Sequence, residues 1–262
     1  MKGTTTMKIT VLTENTTTNP EIESEHGLSL YIETERHKIL FDMGQSDLFL
    51  RNAFRLDIDL AQVDFAILSH GHYDHGGGIG AFRSVNEKAP LYVSRHAFGA
   101  FYSDKYIGLA PSVKNDPNLV LTEGILTLGQ GITLYADGTV PLFAMLNVGL
   151  TKEENGRRLP DDFCHEQYLY IEEEGKRILI SGCSHKGVVN IARHFSPDIL
   201  VGGFHFKNMT EEPFLEDAAD ALAAIPARYY TCHCTGKEQY DFLKKKMPNQ
   251  LHYLSAGQTV TI

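Results

Sequence analysis

A chain of 262 residues with 42% hydrophobic residues can bury a sizeable core, as one large domain or two small ones. Its 24 basic residues against 33 acidic residues give a formal net charge of -9, so the overall charge does not favour nucleic acid as a partner. Because no apolar run approaches the roughly twenty residues of a membrane span, and residues 1–7 lack the apolar core of a signal peptide, we expect a soluble, cytoplasmic protein without membrane association.

The first elements in chain order are predicted to be short strands. Lys8 to Leu12 reads as an opening strand, and residues 28–33 and 37–41 have the pattern of a hairpin around a charged turn. The polar segment from Thr13 to Glu25 is a loop long enough to border a site. Residues 45–56 then place apolar side chains at helical spacing, which predicts a helix.

An apolar run, Phe65 to Leu68, stops abruptly in a cluster of histidines and glycines, which indicates a buried strand that ends in a functional loop. His70 and His72 are two positions apart, so in an extended stretch they point the same way and can bind one ion. Asp74 and His75 lie beyond a bend and can bind a second ion. Three imidazoles and a carboxylate at this spacing suit a divalent cation such as zinc, iron or manganese.

The run from Ser69 to Gly77, Ser-His-Gly-His-Tyr-Asp-His-Gly-Gly, resembles the His-x-His-x-Asp-His signature of the metallo-β-lactamase superfamily. This resemblance implies an α/β (α+β) fold of the four-layer αββα sandwich type, with two sheets packed face to face and helices outside. It implies a single domain over residues 1–262, built from two pseudo-equivalent halves of about 1–130 and 131–262. In the superfamily an Asp-x-Gly after the second hairpin strand supports the metal loop, so Asp42 is predicted to orient a ligand histidine; a helix or turn cap is the alternative.

The middle of the chain alternates strand and helix patterns. Tyr102 to Asn118 has weak periodicity and several aromatic residues, which predicts an irregular loop able to cover the site. Thr151 to Asp162 is predicted to be a charged loop, in which Arg157 and Arg158 either bind an anionic substrate group or form a solvated turn. The remaining predicted elements are a helix at 79–85, a strand at 91–93, a helix at 95–101, and strands at 132–135 and 142–146.

The second half repeats the strand-to-ligand pattern. Residues 168–171 and 177–181 predict a hairpin whose second strand ends in Gly-Cys183-Ser-His185. Many superfamily members have at this place a Gly-Asp whose carboxylate bridges two metals, so Cys183 stands where that aspartate is expected. A thiolate binds metal but is softer than a carboxylate, which favours zinc or iron.

The third histidine of the first metal site has two candidates. His165 precedes the second hairpin, where the superfamily usually places this ligand, and the resemblance therefore favours it. His185 follows the bridging position, before a helix predicted at 187–194, and is either a ligand or a hydrogen-bond donor to substrate. Both residues are kept as site residues.

Two further strands are predicted to end at the site. Residues 198–201 lead to Gly-Gly-Phe-His205, and residues 228–231 lead to Cys-His233-Cys-Thr-Gly. His205 is predicted to contact substrate, with a core or capping histidine as the alternative, and His233 stands where the superfamily supplies the last ligand of the second metal site. The other predicted elements are helices at 212–225 and 237–246 and strands at 251–254 and 258–262.

The four cysteines lie in the C-terminal half, mostly next to histidines, which indicates ligands more than disulfides. For Cys164, Cys232 and Cys234 taken singly, a small buried residue in a reducing compartment is the alternative. Three segments, Gly-Cys-Ser-His-x-Gly, Gly-Gly-Phe-His and Cys-His-Cys-Thr-Gly, resemble a prokaryotic branch of the superfamily known as metal-dependent hydrolases or as dihydropterin methyl ribofuranosylaminobenzene phosphate synthases. The cysteines are Cys164, Cys183, Cys232 and Cys234.

The resemblance implies a metal-dependent hydrolase that acts on an ester, lactone or phosphoester of a small molecule and uses one or two divalent ions, zinc first, with iron or manganese as alternatives. Asp74 would hold or deprotonate the attacking water. A pterin-pathway synthase and an iron-binding redox protein are the alternative functions. The implied ligands are His70, His72 and His165 for one metal, Asp74, His75 and His233 for the other, and Cys183 between them.

Overall fold

The computed structural model describes residues 6–136, 138, 140, 149–210 and 212–262. The chain divides into two compact units, Met1–Thr122 with Gly149–Asp161 and Ser255–Ile262, and Glu123–Val148 with Asp162–Leu254. The strands are β1 (Lys8–Thr13), β2 (Ser29–Glu33), β3 (Lys38–Phe41), β4 (Phe65–Leu68), β5 (Leu91–Ser94), β6 (Ala100–Tyr102), β7 (Leu119–Thr122), β8 (Ile125–Gly129), β9 (Ile132–Tyr135), β10 (Thr151–Glu154), β11 (Arg157–Pro160), β12 (Tyr168–Glu173), β13 (Lys176–Ile180), β14 (Ile199–Gly202), β15 (Arg228–Thr231), β16 (Leu251–Tyr253) and β17 (Thr259–Thr261). The α-helices are α1 (Leu48–Arg55), α2 (Tyr73–Gly76), α3 (Ile79–Arg83), α4 (Val188–Phe195), α5 (Glu212–Ala223) and α6 (Lys237–Lys246).

The first unit contains a seven-stranded sheet in the order β17-β1-β2-β3-β4-β5-β7. β1, β2 and β3 form an antiparallel meander, whereas β3, β4, β5 and β7 run parallel. Because Phe41 pairs with Ile67 in the parallel ladder, the residues after β3 and β4 emerge at the same edge of the sheet. Asp42 and the histidine cluster therefore come together.

Apolar side chains of this sheet and of helices α1 and α3 form the core of the first unit. The helices contribute residues at intervals of three or four, as an amphipathic helix packed on a sheet requires. Substituting one of the large buried residues by alanine is expected to cost about 3–5 kcal/mol of stability. The members include Leu40, Ala66, Leu68, Leu91 and Val93 from strands and Phe49, Ala53, Ile79 and Phe82 from helices.

A second, three-stranded sheet of the first unit, in the order β11-β10-β6, corrects two predictions. The helix predicted at 95–101 is wrong, because residues 100–102 form β6 and pair with β10 fifty residues later in the chain. The loop predicted at 151–162 is also wrong, because β10 and β11 form a hairpin around Asn155 and Gly156. Both turn residues have positive φ, 51° and 73°, as a two-residue hairpin turn requires. The Asn-Gly pair could therefore have predicted this hairpin from the sequence.

The second unit contains a seven-stranded sheet in the order β16-β15-β14-β13-β12-β9-β8. β13, β14, β15 and β16 run parallel, so the segments that follow β13, β14 and β15 emerge side by side. These segments carry Cys183, His205 and His233. Helices α4, α5 and α6 pack on this sheet through a core that includes Tyr168, Leu179, Leu200 and Tyr229 from strands and Ile191, Ala219, Leu222 and Leu243 from helices.

Most of the other predicted elements are found within a few residues of the predicted bounds, and β15 and α6 match the prediction at both ends. The sequence analysis missed β7 and β8. Strand β7 is an end strand of the large sheet in the first unit, and β8 is an end strand of the large sheet in the second unit. The strand predicted at 142–146 lies outside the described residues. Of the loop predicted at 102–118, Tyr102 belongs to β6, and residues 103–118 are irregular apart from a turn of 3-10 helix at Pro111–Asn115. None of the helices in the described ranges is long and apolar enough to cross a membrane.

Candidate metal centre

Four residues of the first unit form a buried hydrogen-bonded network at the adjacent ends of β3 and β4. Asp42 accepts a hydrogen bond through Oδ1 from the backbone N–H of Ser69, at 2.7 Å. Its other oxygen, Oδ2, accepts from the hydroxyl of Ser69 at 2.7 Å and lies 2.6 Å from Nδ1 of His75. The Ser69 oxygen also lies 2.8 Å from Nδ1 of His70. All four residues are fully buried.

The donors and acceptors of this network determine the tautomers of both rings. An ionised carboxylate only accepts hydrogen bonds, so Nδ1 of His75 donates to Asp42. Ser69 has a single hydroxyl hydrogen, which it donates to Asp42, so its oxygen must accept from Nδ1 of His70. Each ring therefore carries its proton on Nδ1 and keeps a lone pair on Nε2, which is the form in which imidazole binds a metal.

His72 and Asp74 lie beside this network. The ring of His72 is centred 4.5 Å from that of His70, and its extended backbone leads into α2. Asp74 is in the first turn of α2, where its Oδ2 lies 3.8 Å from Nε2 of His75. The same oxygen lies 3.2 Å from Nε2 of His26, a residue that the sequence analysis did not single out. His26 is an isolated histidine in a loop, so no local pattern marks it.

In the second unit, ligand atoms from three parallel strand ends come close together. The ligand atoms of Cys183, His185 and His205 all lie within 4.8 Å of one another, and so do those of Cys183, His233 and Cys234. The rings of His185 and His205 are centred 4.3 Å apart. Cys183 is therefore common to two groups of donors. His185 was predicted to contact substrate or to bind metal, and its ligand nitrogen lies within 4.8 Å of the sulfur of Cys183.

A buried carboxylate holds the loop that carries His185. Glu166 accepts hydrogen bonds from the backbone N–H of His185 at 2.7 Å and of Lys186 at 3.1 Å, and its Oε2 lies 2.5 Å from the hydroxyl of Tyr168. Burial, together with the charge of Glu166 and this hydrogen bond, raises the pKa of Tyr168 well above its usual value, so the phenol stays protonated and donates. Glu166 is thus fully engaged in positioning the loop.

Aromatic stacking orients the ring of His185. The rings of Phe163 and His185 are centred 4.7 Å apart and inclined by only 7°. His165 is buried, with its ring centred 6.2 Å from that of Phe163. Both candidates for the third histidine therefore lie against the same phenylalanine.

Backbone conformations that are rare for non-glycine residues occur repeatedly at these strand ends. Asp42, Ser184, His205 and His233 have φ of 60°, 57°, 55° and 51°. Each such residue costs on the order of 1 kcal/mol and persists only when the surroundings hold it in place. The left-handed turns direct side chains out of the sheet edge immediately after a strand, which is where the predicted site residues lie.

The sequence analysis counted Cys234 among the cysteines that indicate ligands but left it out of the implied ligand set, whereas the structure places its sulfur close to Cys183 and His233. Burial raises the pKa of its thiol, but hydrogen bonds involving Cys183 and His205 and electrostatic interactions with His233 and His205 outweigh burial and hold this pKa well below its usual value. None of the four cysteines, each of which lies in the described part of the chain, forms a disulfide.

Residues 24–224 match the family model described as the metallo-beta-lactamase superfamily. The chain belongs to this superfamily. The match confirms the resemblance found in the sequence, and the superfamily consists mostly of enzymes that depend on divalent metals.

Three relatives agree with this assignment. The chain is 28% identical to the 7,8-dihydropterin-6-methyl-4-(beta-D-ribofuranosyl)-aminobenzene-5'-phosphate synthase of Methanocaldococcus jannaschii, over 92% of each chain. It is 29% identical to Tm1679, a metal-dependent hydrolase of the beta-lactamase superfamily, with a TM-score of 0.85 and coverage of 98% of this chain and 99% of Tm1679. YhfI from Bacillus subtilis, 14% identical, matches in fold alone, with a TM-score of 0.62 and coverage of 97% and 99%. The predicted fold class is confirmed.

Proposed function

We propose that the protein is a metal-dependent hydrolase that acts on an ester, lactone or phosphoester of a small molecule. The observation that carries the proposal is the network in which Asp42 and Ser69 fix the Nδ1 protons of His70 and His75. Two buried imidazoles that present Nε2 lone pairs, next to His72 and a carboxylate, are a donor set suited to a divalent metal. The donor chemistry therefore fits the metal that the superfamily implies.

The proposed ligands are imidazole, thiolate and carboxylate groups. Imidazole and thiolate donors together favour zinc, with iron or manganese as alternatives, and the number of ions is one or two. When bound, such an ion lowers the pKa of a water molecule and polarises a carbonyl or phosphoryl oxygen. The proposed ligands are His70, His72, Asp74, His75, His165, Cys183 and His233, with His185 as the alternative to His165.

Asp74 is the proposed proton acceptor. Its side chain is 11% exposed, so it is accessible to a small reactant while remaining held by α2. Its Oδ2 accepts from Nε2 of His26 when that nitrogen carries a proton, and this contact positions the carboxylate. His26 itself is 45% exposed at its side chain and so connects Asp74 to solvent.

His185 and His205 are proposed to contact the substrate or its leaving group. Their rings are centred 4.3 Å apart, and Phe163 and Glu166 hold the position of His185. An imidazole held in this way can donate a proton to a departing oxygen. His205 is only partly buried, which suits a residue that meets a reactant.

Lys186 favours an anionic substrate within the proposed class. The residue is 2% exposed, and within the described part of the chain no carboxylate pairs with its ammonium group. A buried cation without a counter-charge is costly, so an anionic group of a bound substrate would stabilise it. We therefore place phosphoesters and other anionic esters first.

A second candidate function is supported by the relative from Methanocaldococcus jannaschii. That protein is named as a synthase of a ribofuranosyl-aminobenzene phosphate joined to a dihydropterin, and the likeness extends over 92% of this chain. A synthase-like enzyme of this kind would form a carbon bond to a phosphorylated compound and would bind a pterin. An iron-binding redox protein is the third candidate function. Bound iron with a visible absorption band would favour this candidate.

The proposal is tested by a hydrolysis screen of metal-free and zinc-reloaded protein against phosphomonoesters, phosphodiesters, carboxylic esters and lactones, with pterin binding measured in parallel. Metal-dependent turnover that is lost in His70→Ala and kept in His96→Ala supports a hydrolase. His96 is an exposed histidine of the same unit and serves as the matched control. Tight pterin binding without any hydrolysis would favour the synthase instead.

A further inference from the structure

We infer that Cys234 is a metal ligand, and that with Cys183 and His233 it gives the centre a donor set of two thiolates and one imidazole that selects zinc or ferrous iron over manganese or magnesium. The inference rests on the proposed metal-dependent function and specifies which ion that function uses. Neither the superfamily signature nor the predicted ligand set includes a second thiolate.

The first observation is the proximity of the three donors. The ligand atoms of Cys183, His233 and Cys234 all lie within 4.8 Å of one another, and all three residues are at least 95% buried. Two sulfur atoms and a ring nitrogen at such distances can bind one tetrahedral ion after small adjustments. Both sulfur atoms would bind a divalent ion as thiolates.

The second observation is that the sulfur of Cys234 is held by backbone. The N–H of His205 points to this sulfur at 3.3 Å, and the sulfur lies 3.7 Å from the carbonyl oxygen of Cys183, to which a thiol would donate. An N–H donor stabilises the thiolate and remains in place after the thiol proton has left. The backbone N–H therefore suits a sulfur that binds a metal as a thiolate.

The third observation is the space left by a glycine. A Cβ built on Gly203 would overlap the sulfur of Cys234, so the second glycine of the Gly-Gly-Phe-His segment makes room for this side chain. The φ of Gly203 is not in the left-handed region, so steric room is the reason for glycine at this position. Two segments that the sequence analysis singled out separately thus meet at one sulfur atom.

A soft donor set has a consequence for metal choice. Thiolate ligands favour zinc and iron, whereas manganese and magnesium prefer carboxylate, carbonyl and water oxygens. If Cys183 supplied the only thiolate, the centre would differ from a superfamily site by a single carboxylate-to-thiolate replacement, and its preference for zinc or iron would be weaker. With a second thiolate at Cys234, the selectivity for zinc or ferrous iron is expected to increase.

The test uses the full chain loaded with cobalt(II), whose thiolate-to-metal charge-transfer absorption reports directly on sulfur ligands, together with zinc affinity from competition with a chromophoric chelator. Cys234→Ser is compared with Cys232→Ser, since Cys232 is equally buried two residues away but lies in neither donor group described above. The expected result is that Cys234→Ser loses about half of the charge-transfer intensity and binds zinc at least about tenfold more weakly, while Cys232→Ser keeps both.

Gly203→Ala provides a second variant in which every cysteine is retained. Its new methyl group displaces the sulfur of Cys234, so it should lower the charge-transfer intensity in the same way. X-ray absorption at the zinc edge of the unmodified protein needs no variant, and two sulfur neighbours per chain at about 2.3 Å are expected.

Unchanged absorption and zinc affinity in Cys234→Ser, or one sulfur neighbour per chain at the zinc edge, would overturn the inference and leave the proposed function standing. An equal loss in Cys232→Ser would also overturn it, because the effect would then not be specific to Cys234. Failure of the unmodified protein to bind either cobalt or zinc would overturn the proposed function and this inference together.

Discussion

Nδ1 of His75 lies 2.6 Å from Oδ2 of Asp42, and both side chains are fully buried. One carboxylate, 33 residues earlier in the chain, therefore sets the tautomer of a proposed metal ligand and, through Ser69, that of His70. Because buried hydrogen bonds to a charged group are strong and directional, this arrangement stabilises the ligand loop before any metal binds.

Replacing Asp42 by asparagine is expected to lower metal affinity by about 10- to 100-fold. The amide would present a hydrogen donor to His75 or to Ser69, so the tautomers would no longer be fixed together. Affinity is measured by chelator competition. Asp64→Asn is the matched control, since Asp64 is an exposed aspartate of the same unit that contacts His37. Equal affinities of the two variants would contradict the role assigned to Asp42.

Replacing Ser69 by alanine is expected to have a smaller effect, which is confined to His70. The variant removes the hydroxyl that links His70 to Asp42 but leaves the contact between Asp42 and His75 intact. Metal affinity should fall by about tenfold, and the double variant with Asp42→Asn should fall by less than the product of the single effects, because the residues share one network. Additive free-energy changes would argue that Ser69 acts independently of Asp42.

Replacing Lys186 by methionine is expected to raise the KM for anionic esters by about 10- to 100-fold, the effect of losing one charged hydrogen bond, with little change for neutral esters that share the same leaving group. Methionine is similar in length and lacks the charge. Parallel measurements of KM and kcat for the two substrate series decide the matter. Equal changes for both series would remove Lys186 from substrate recognition.

Stability is expected to depend on pH through Asp198. Hydrogen bonds from the side chain and backbone N–H of Arg177 lower the pKa of Asp198 to about 2. Since the folded-state pKa lies below the unfolded value, this stabilisation is present at neutral pH and is lost as the pH falls from about 4 to about 2. The pair is largely exposed, so Asp198→Asn should lower the free energy of unfolding by no more than about 1 kcal/mol at pH 7.

The comparison for Asp198 uses urea unfolding of the unmodified protein and the variant at several pH values. The difference between them should shrink as the solution is acidified. Asp104→Asn, at an exposed aspartate, is the control and should show no pH-dependent difference. A difference that stays constant down to pH 2 would contradict the linkage.

The proposed ligands at strand ends could be predicted from the sequence, because each follows directly after the apolar run of a strand. Periodicity and glycine placement located β4 before His70 and β13 before Cys183, and the family signature gave the fold. Local sequence patterns gave the wrong prediction where a strand pairs with a segment distant in the chain. Strand β6 is short and becomes a strand only through β10, so residues 95–101 looked helical.

The remaining site features depend on proximity that no local pattern contains. His26 reaches Asp74 from a loop 48 positions earlier in the chain, and Cys234 meets Gly203 through neighbouring parallel strands. The left-handed backbone conformation of His205 and His233 also could not be predicted from secondary-structure propensities, because few non-glycine residues adopt it without support from the fold.

The most direct test of the account is elemental analysis of protein purified without added metal, beside His72→Ala and Asp74→Ala variants. The account predicts one or two zinc or iron ions per chain in the unmodified protein and a reduced content in both variants. No bound metal under any loading condition, with the two variants indistinguishable from the unmodified protein, would contradict the central claim that these residues form a metal centre.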